Sequence, residues 1–257
     1  MTDLNVTTPA TASRAPADRY ARWTGLATGA LAAWRLSTLD HGNGVLYAIP
    51  AFGLCAVAGV LVGDTLTAPA RATVRTAGLA PRRVRDYVPP RMTWLLVVLA
   101  VSLVALLATA GAVATPDDMG RAGRELTLTC RGMTEGHGPW PGLFYGLPML
   151  ASLAVATGAC GWSLRRIATR PGDEQSRRDR SLAIVAAWGI VVSTSLLGAA
   201  STASGALMSM TCDGAAGTAA NVVLLPLIVV SLTTALWMLF TVCSPQARWR
   251  RRAGTHR

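Results

Sequence analysis

Residues 181–212 read SLAIVAAWGIVVSTSLLGAASTASGALMSMTC, 32 residues without one charged side chain. A helix needs about 20 apolar residues to cross a hydrocarbon core of about 30 Å, and this run exceeds that. It is bounded by Arg180 and Asp213. Working outward, four more charge-free runs pass the same test. They are residues 42–63 (between His41 and Asp64), 92–116 (Arg91 and Asp117), 138–164 (His137 and Arg165) and 214–247 (Asp213 and Arg248). None alternates polar with apolar at period two. Helices are therefore expected, because in lipid only helices and closed barrels satisfy their own backbone.

Composition agrees. Across 257 residues, 51% are hydrophobic and 14% charged, against about 25% charged in an ordinary soluble domain. Mean hydropathy is +0.39. A disordered chain, a coiled coil and a small disulfide-stapled domain are excluded. All 24 basic residues are arginine. A sixth run, Trp23–Leu39, is shorter and carries Arg35 near one end, where its long stem can snorkel to the interface. It reads as a sixth span. A signal peptide and an interfacial helix are the competing readings.

The arginines set the expected orientation. With six spans and both termini in the cytosol, twenty arginines lie inside: in the N-terminal tail, the 67–91 and 165–180 loops and the C-terminal tail. Only Arg121, Arg124 and Arg131 lie outside, with Arg35 unassigned. That split follows the positive-inside rule, and Trp23, Trp94, Trp140, Trp162 and Trp237 fall near span ends as an aromatic belt requires. The expected fold is an all-α integral membrane protein of the bacterial cytoplasmic membrane. Its six transmembrane helices form three antiparallel hairpins (residues 20–67, 92–166 and 180–252). Residues 1–19 are read as a disordered cytosolic tail, 20–247 as the membrane domain and 248–257 as a basic cytosolic tail. The net charge of +11 and pI near 10.8 are then explained by arginines facing anionic headgroups, and nucleic acid is not an expected partner.

The hairpins share local features. Thr129-Cys130-Arg131-Gly132 and Thr211-Cys212-Asp213-Gly214 each follow the first span of a hairpin. Pro50, Pro148 and Pro226 fall near the outer ends of the returning spans, as candidate kinks. The two readings are a pseudo-symmetric repeat of the kind transporters use and a chance match. Cys130 and Cys212 are the only cysteines the topology places outside, so they are the disulfide candidates; Cys55, Cys160 and Cys243 read as small apolar fillers. Gly25 and Gly29 on the first span, and Gly59 and Gly63 on the second, form small-residue faces for helix packing. At matched depth Gly25 would meet Gly63, and Gly29 would meet Gly59. Arg35 is the candidate intramembrane charge. Asp64 sits at the opposite depth and cannot pair with it.

Residues that could carry chemistry are few. The 117–141 loop has acids and His137 but no metal-ligand spacing. No nucleotide-binding glycine loop and no set of polar catalytic groups is present, so neither catalytic, cofactor nor metal residues are assigned. The Ser/Thr-rich fifth span, with Ser193, Thr194, Ser195, Ser201, Thr202 and Ser204, lines a solute path on one reading and packs between helices on the other. The expected function is a non-catalytic membrane scaffold or accessory protein with an unidentified membrane or cytosolic partner. The alternative is a transporter or permease subunit paired with a cytosolic ATPase.

The segment Pro81-Arg82-Arg83-Val84-Arg85-Asp86-Tyr87-Val88-Pro89, followed by a long span, resembles uncharacterised multi-pass membrane proteins of GC-rich bacteria. The resemblance implies a location and no activity. The six-span, both-ends-inside plan is also similar to permease subunits of ATP-binding-cassette exporters, in architecture alone.

Overall fold

The computed structural model describes residues 15–38, 44–66, 90–130, 132–169, 174–211 and 214–244. Of these, 84% are helical. Six helices are described: α1 (Ala15–Thr38), α2 (Val45–Leu66), α3 (Pro90–Val113), α4 (Leu143–Thr169), α5 (Glu174–Ser209) and α6 (Gly214–Cys243). Among the described residues five of them, α2 to α6, are long and apolar enough to cross a membrane. α1 does not reach that threshold, because Asp18, Arg19, Arg22 and Arg35 interrupt it.

The bundle is organised around α5. Its apolar window is 78% buried, against 22–44% for the other four apolar helices. A helix that is hydrophobic all round belongs in a core. Here Ala183, Ala186, Ala187, Ala199 and Ala200 keep the girdle of α5 thin, so α2, α3, α4 and α6 all pack directly on it. The neighbours behave differently. α3 buries one stripe, Met92, Leu96, Leu99, Leu103, Leu107 and Ala110, at spacings of three and four, and exposes Val97, Val98, Val101 and Val104.

Consecutive helices do not all pair as sequence hairpins. α1 packs along α2, and α5 along α6, but α3 and α4 meet directly only at a few positions. Near their connected ends Leu143 approaches Gly111 and Leu107 approaches Gly146. Elsewhere α5 holds both: Cys160 Sγ donates to the Ile184 carbonyl at 3.9 Å, while Leu96 lies against Gly189.

The α3–α4 connection, expected as a loop, contains a two-stranded antiparallel hairpin. β1 (Leu126–Cys130) pairs with β2 (Met133–His137), from Leu126 opposite His137 to Cys130 opposite Met133. Gly132 supplies the positive φ of +83° that the tight connection needs. The repeated string thus builds two different things. Thr129–Gly132 closes a β-hairpin, whereas Gly214 opens α6, with φ +52°. The prolines also differ in position. Pro50 and Pro148 are each the sixth residue of their helix, but Pro226 is the thirteenth of α6.

Two boundaries depart from expectation. Residues 15–19, read as tail, are the first turn of α1: Asp18 favours the helix N-terminus and pairs with Arg22 one turn on. The 165–180 segment, read as a loop, is helical except around 170–173, which lies outside the described residues. So do residues 1–14, 39–43, 67–89 and 245–257, and with them the resemblance at 81–89 and the C-terminal tail.

α1 and α2 touch backbone to backbone. A Cβ on Gly25 would lie 2.6 Å from Gly59 Cα, and one on Gly59 2.7 Å from Gly25 Cα. Gly63 faces Asp18 and Ala21, and Gly29 faces Phe52 and Cys55. The register is therefore one turn away from the depth match: Gly25 meets Gly59, not Gly63. Gly59→Val should lower the stability of the purified protein by about 2 kcal/mol or more, as overpacking does. Gly158→Ala should be neutral or mildly stabilising, since a Cβ there meets nothing within 4 Å. Thermal unfolding of both variants in detergent checks the contrast.

Candidate functional sites at the two ends of the bundle

The polar chemistry gathers at opposite ends. At the arginine-rich end, the start of α1, the end of α2, the start of α5 and the end of α6 converge. Asp18 accepts from Arg22 Nε at 3.0 Å, and Arg22 Nη1 donates to the Val242 carbonyl at 3.4 Å, near the end of α6. Last-turn carbonyls lack helical donors, so a guanidinium there satisfies an orphan acceptor and meets the negative end of the helix dipole. Arg180 Nη1 lies 3.5 Å from Asp64 Oδ1. Arg22, Asp64 and Arg177 are buried. Removing one partner of a buried pair is costly because it strands the other charge.

The candidate intramembrane charge, Arg35, is not among these buried groups. Arg35 is exposed on α1, its guanidinium carbon 5.5 Å from the Trp34 ring centroid. At this end the buried ionic side chains are Arg22, Asp64 and Arg177, carried on helix ends that meet there. Asp64 could not be matched from sequence: its partner lies 116 residues away. The Asp18–Arg22 pair has the helical spacing of four, but reading residues 1–19 as tail hid it.

At the hairpin end the α3–α4 connection forms a cap. Arg124 is its anchor. It is 4% exposed, donates to the Tyr145 hydroxyl at 2.8 Å, lies 3.6 Å from Asp117 and stacks 4.6 Å from the Phe144 ring centroid. Stacking on aromatic faces while bonding at its edge is what a planar guanidinium does and an ammonium does not. Tyr47 of α2 completes the aromatic group, its ring centroid 5.8 Å from Phe144 and 5.6 Å from Tyr145. Trp140 is buried against α5 and α6, and its indole N–H donates to the Ala110 carbonyl at 2.9 Å. Glu135 on β2 fastens the cap to the α5–α6 connection: Thr211 donates its amide at 3.0 Å and its hydroxyl at 2.5 Å to the carboxylate. Cys212 and the side chain of Cys130 lie outside the described residues.

The hydroxyls of α5 point back to their own helix. Ser193 donates to the Gly189 carbonyl at 2.6 Å, Thr194 to Ile190 at 2.7 Å and Thr202 to Gly198 at 3.0 Å. Ser204 bridges to Asn221 of α6 at 2.7 Å. This is the packing reading of the fifth span. An open groove of about 350 Å³ lies between α3 and α4, lined by apolar and small residues such as Leu107, Gly111, Gly146 and Leu150. Among the described residues no group of three or more His, Cys, Asp or Glu is placed to hold a metal ion. No protein-family model, curated protein or solved structure matches the chain.

Asp117 organises the cap's first turn. Desolvation opposes its charge, but the amides of Arg121 and Met119 and the guanidinium of Arg121 outweigh that, holding its pKa below the ordinary 3.8. A depressed carboxylate stabilises the fold above its unfolded pKa, and that contribution is lost as pH falls through the lower folded value. The Met119 and Arg121 amides should therefore stay protected from hydrogen exchange at neutral pH and lose protection only below pH about 4. Asp117→Asn should make them exchange faster at every pH above that.

Proposed function

We propose that the chain is a six-span protein of the bacterial cytoplasmic membrane, with both termini in the cytosol, that acts as a non-catalytic scaffold or accessory subunit. One observation carries the scaffold reading: α5, the helix with the polar residues a solute path would need, is largely buried by its neighbours and turns the Ser193, Thr194 and Thr202 hydroxyls onto its own carbonyls. A helix in that state holds other helices together.

The sixth span rests on α1 running antiparallel beside α2, from Asp18 at Gly63 to Gly29 at Phe52. A helix pressed backbone to backbone against a spanning neighbour shares its depth. α1 also exposes Tyr20, Trp23, Leu31 and Trp34, an apolar strip with aromatic residues at both ends. The orientation rests on the twenty-to-three division of arginines. Arg165 and Arg166 are exposed at the arginine-rich end of α4, with Arg166 5.3 Å from the exposed Trp162 ring, suited to anionic headgroups. The location fits the resemblance to multi-pass membrane proteins of GC-rich bacteria.

Cysteine labelling tests both parts in a cysteine-free background. Ala80→Cys should be protected from an impermeant reagent outside the cell and Ala122→Cys, at an exposed position of the cap, should react; labelling at position 80 overturns the orientation. Ser193→Cys and Thr202→Cys should resist hydrophilic thiol reagents in opened membranes. Reaction at both would favour a transport path along α5.

A Cys130–Cys212 disulfide is part of the same proposal. It is supported by the hold of Glu135 on Thr211, the neighbour of Cys212. The loop it would close has 81 intervening residues, for which chain entropy gives about 4 kcal/mol. Alkylation of the oxidised, purified protein without reduction should modify three cysteines. Five modified cysteines would refute the bridge.

A further inference from the structure

The contact between α2 and α5 holds a mismatch that the scaffold role does not use. Its register is set at two points. A Cβ on Gly53 would lie 3.0 Å from Val191 Cγ2, and one on Gly198 would overlap Ile49. Val191, Ser195 and Gly198 share one face of α5 at spacings of four and three. Ser195 is therefore framed between these two contacts, at the level of Pro50. Both residues are buried, Ser195 completely. The Ser195 hydroxyl has no hydrogen-bond partner. Pro50 has no N–H to offer, so the Leu46 carbonyl one turn earlier loses its helical donor. Leu46 is 1% exposed and lies against the Gly198 stretch of α5. A donor without an acceptor thus sits about one turn from an acceptor deprived of its donor. In a membrane interior, Ser and Thr hydroxyls are the groups that re-satisfy carbonyls freed by proline.

We propose that Val45–Ile49, the turn of α2 beyond Pro50, is a hinged lever with two positions. In one, Ser195 is unpaired, as in the present arrangement. In the other, a small bend at Pro50 brings the Leu46 carbonyl onto the Ser195 hydroxyl, which latches it. The lever reaches the cap through described contacts. Tyr47, at its middle, packs on the Phe144 and Tyr145 rings. The Tyr145 hydroxyl accepts from Arg124, and the Arg124 carbonyl accepts the Trp140 amide at 2.9 Å. The state of a buried hydroxyl is in this way passed to the extramembrane hairpin. The proposal makes the cap a read-out of the packing between α2 and α5, and a partner that presses on either would change the other.

Amide hydrogen exchange on the full chain in lipid nanodiscs tests this at Tyr47, Ala48 and Trp140. The Tyr47 and Ala48 amides both donate to the Gly44 carbonyl, so they report the lever itself. Ser195→Ala should speed exchange at all three sites by about fivefold, the value of one net hydrogen bond. Ser195→Thr, which keeps the hydroxyl, should exchange like the unmodified protein. Pro50→Ala restores an N–H to Leu46 and should slow all three. Adding Ser195→Ala to Pro50→Ala should then change nothing further. An equal effect of Ser195→Ala in both backgrounds, or an unmoved Trp140, overturns the lever. Should Pro50→Ala fail to fold, the Ser195→Ala and Ser195→Thr comparison decides alone: identical rates at Trp140 overturn the proposal.

Discussion

The structure depends on one helix being small enough to surround. α5 has four apolar neighbours, and the space they leave is set by alanine and glycine on its surface. Gly189 accepts Met238 and Leu96, and Gly198 accepts Ile49. Larger side chains at these positions would push the neighbours outward and open the core, a change close-packed interiors tolerate poorly. The hydroxyls of Ser193, Thr194 and Thr202 bond to carbonyls of α5 itself, as Ser and Thr in a helix commonly do. A helix that might have lined a channel is thereby a pillar.

α1 attaches by a different physics. It docks mainly on α2, with Gly25 and Gly59 letting the two backbones meet. The small residues let the two helices approach closely, so van der Waals contact contributes much of the attraction. Its arginine-rich end is then tied by charge: Arg22 serves both Asp18 and the last turn of α6. Bringing four helix ends together concentrates dipole ends and ionic side chains in one place. This explains why buried charge is found there and not at Arg35.

The opposite end is closed by an aromatic and hydrogen-bonded cap. Arg124 is held by Asp117, Tyr145 and the Phe144 face, Trp140 anchors to α3, and Glu135 reaches across to Thr211. These contacts tie the α3–α4 connection to α4 through Tyr145 and Phe144, to α3 through the Ala110 carbonyl, and to the α5–α6 connection through Thr211. α3 and α4 touch each other little, and the cap with α5 does the work of keeping them in place.

The sequence by itself determined that five long apolar helices exist and roughly where they lie, since a run free of charge over 20 or more residues has few alternatives. It also showed the small-residue faces of α1 and α2, because these depend on local helical spacing, whereas reading residues 1–19 as tail hid the i, i+4 pair of Asp18 and Arg22. Tertiary structure alone decided which helix is central. All five runs are apolar, and hydropathy does not distinguish a lipid-facing surface from a buried one. It decided the one-turn register between Gly25 and Gly59, which rests on backbone fit. It also paired Asp64 with Arg180 and Glu135 with Thr211, contacts between residues far apart in the chain. Finally, it placed Gly132 in a hairpin connection and Gly214 at the start of α6. A glycine fixes only that a left-handed backbone is allowed, and the neighbouring chain determines what is built with it.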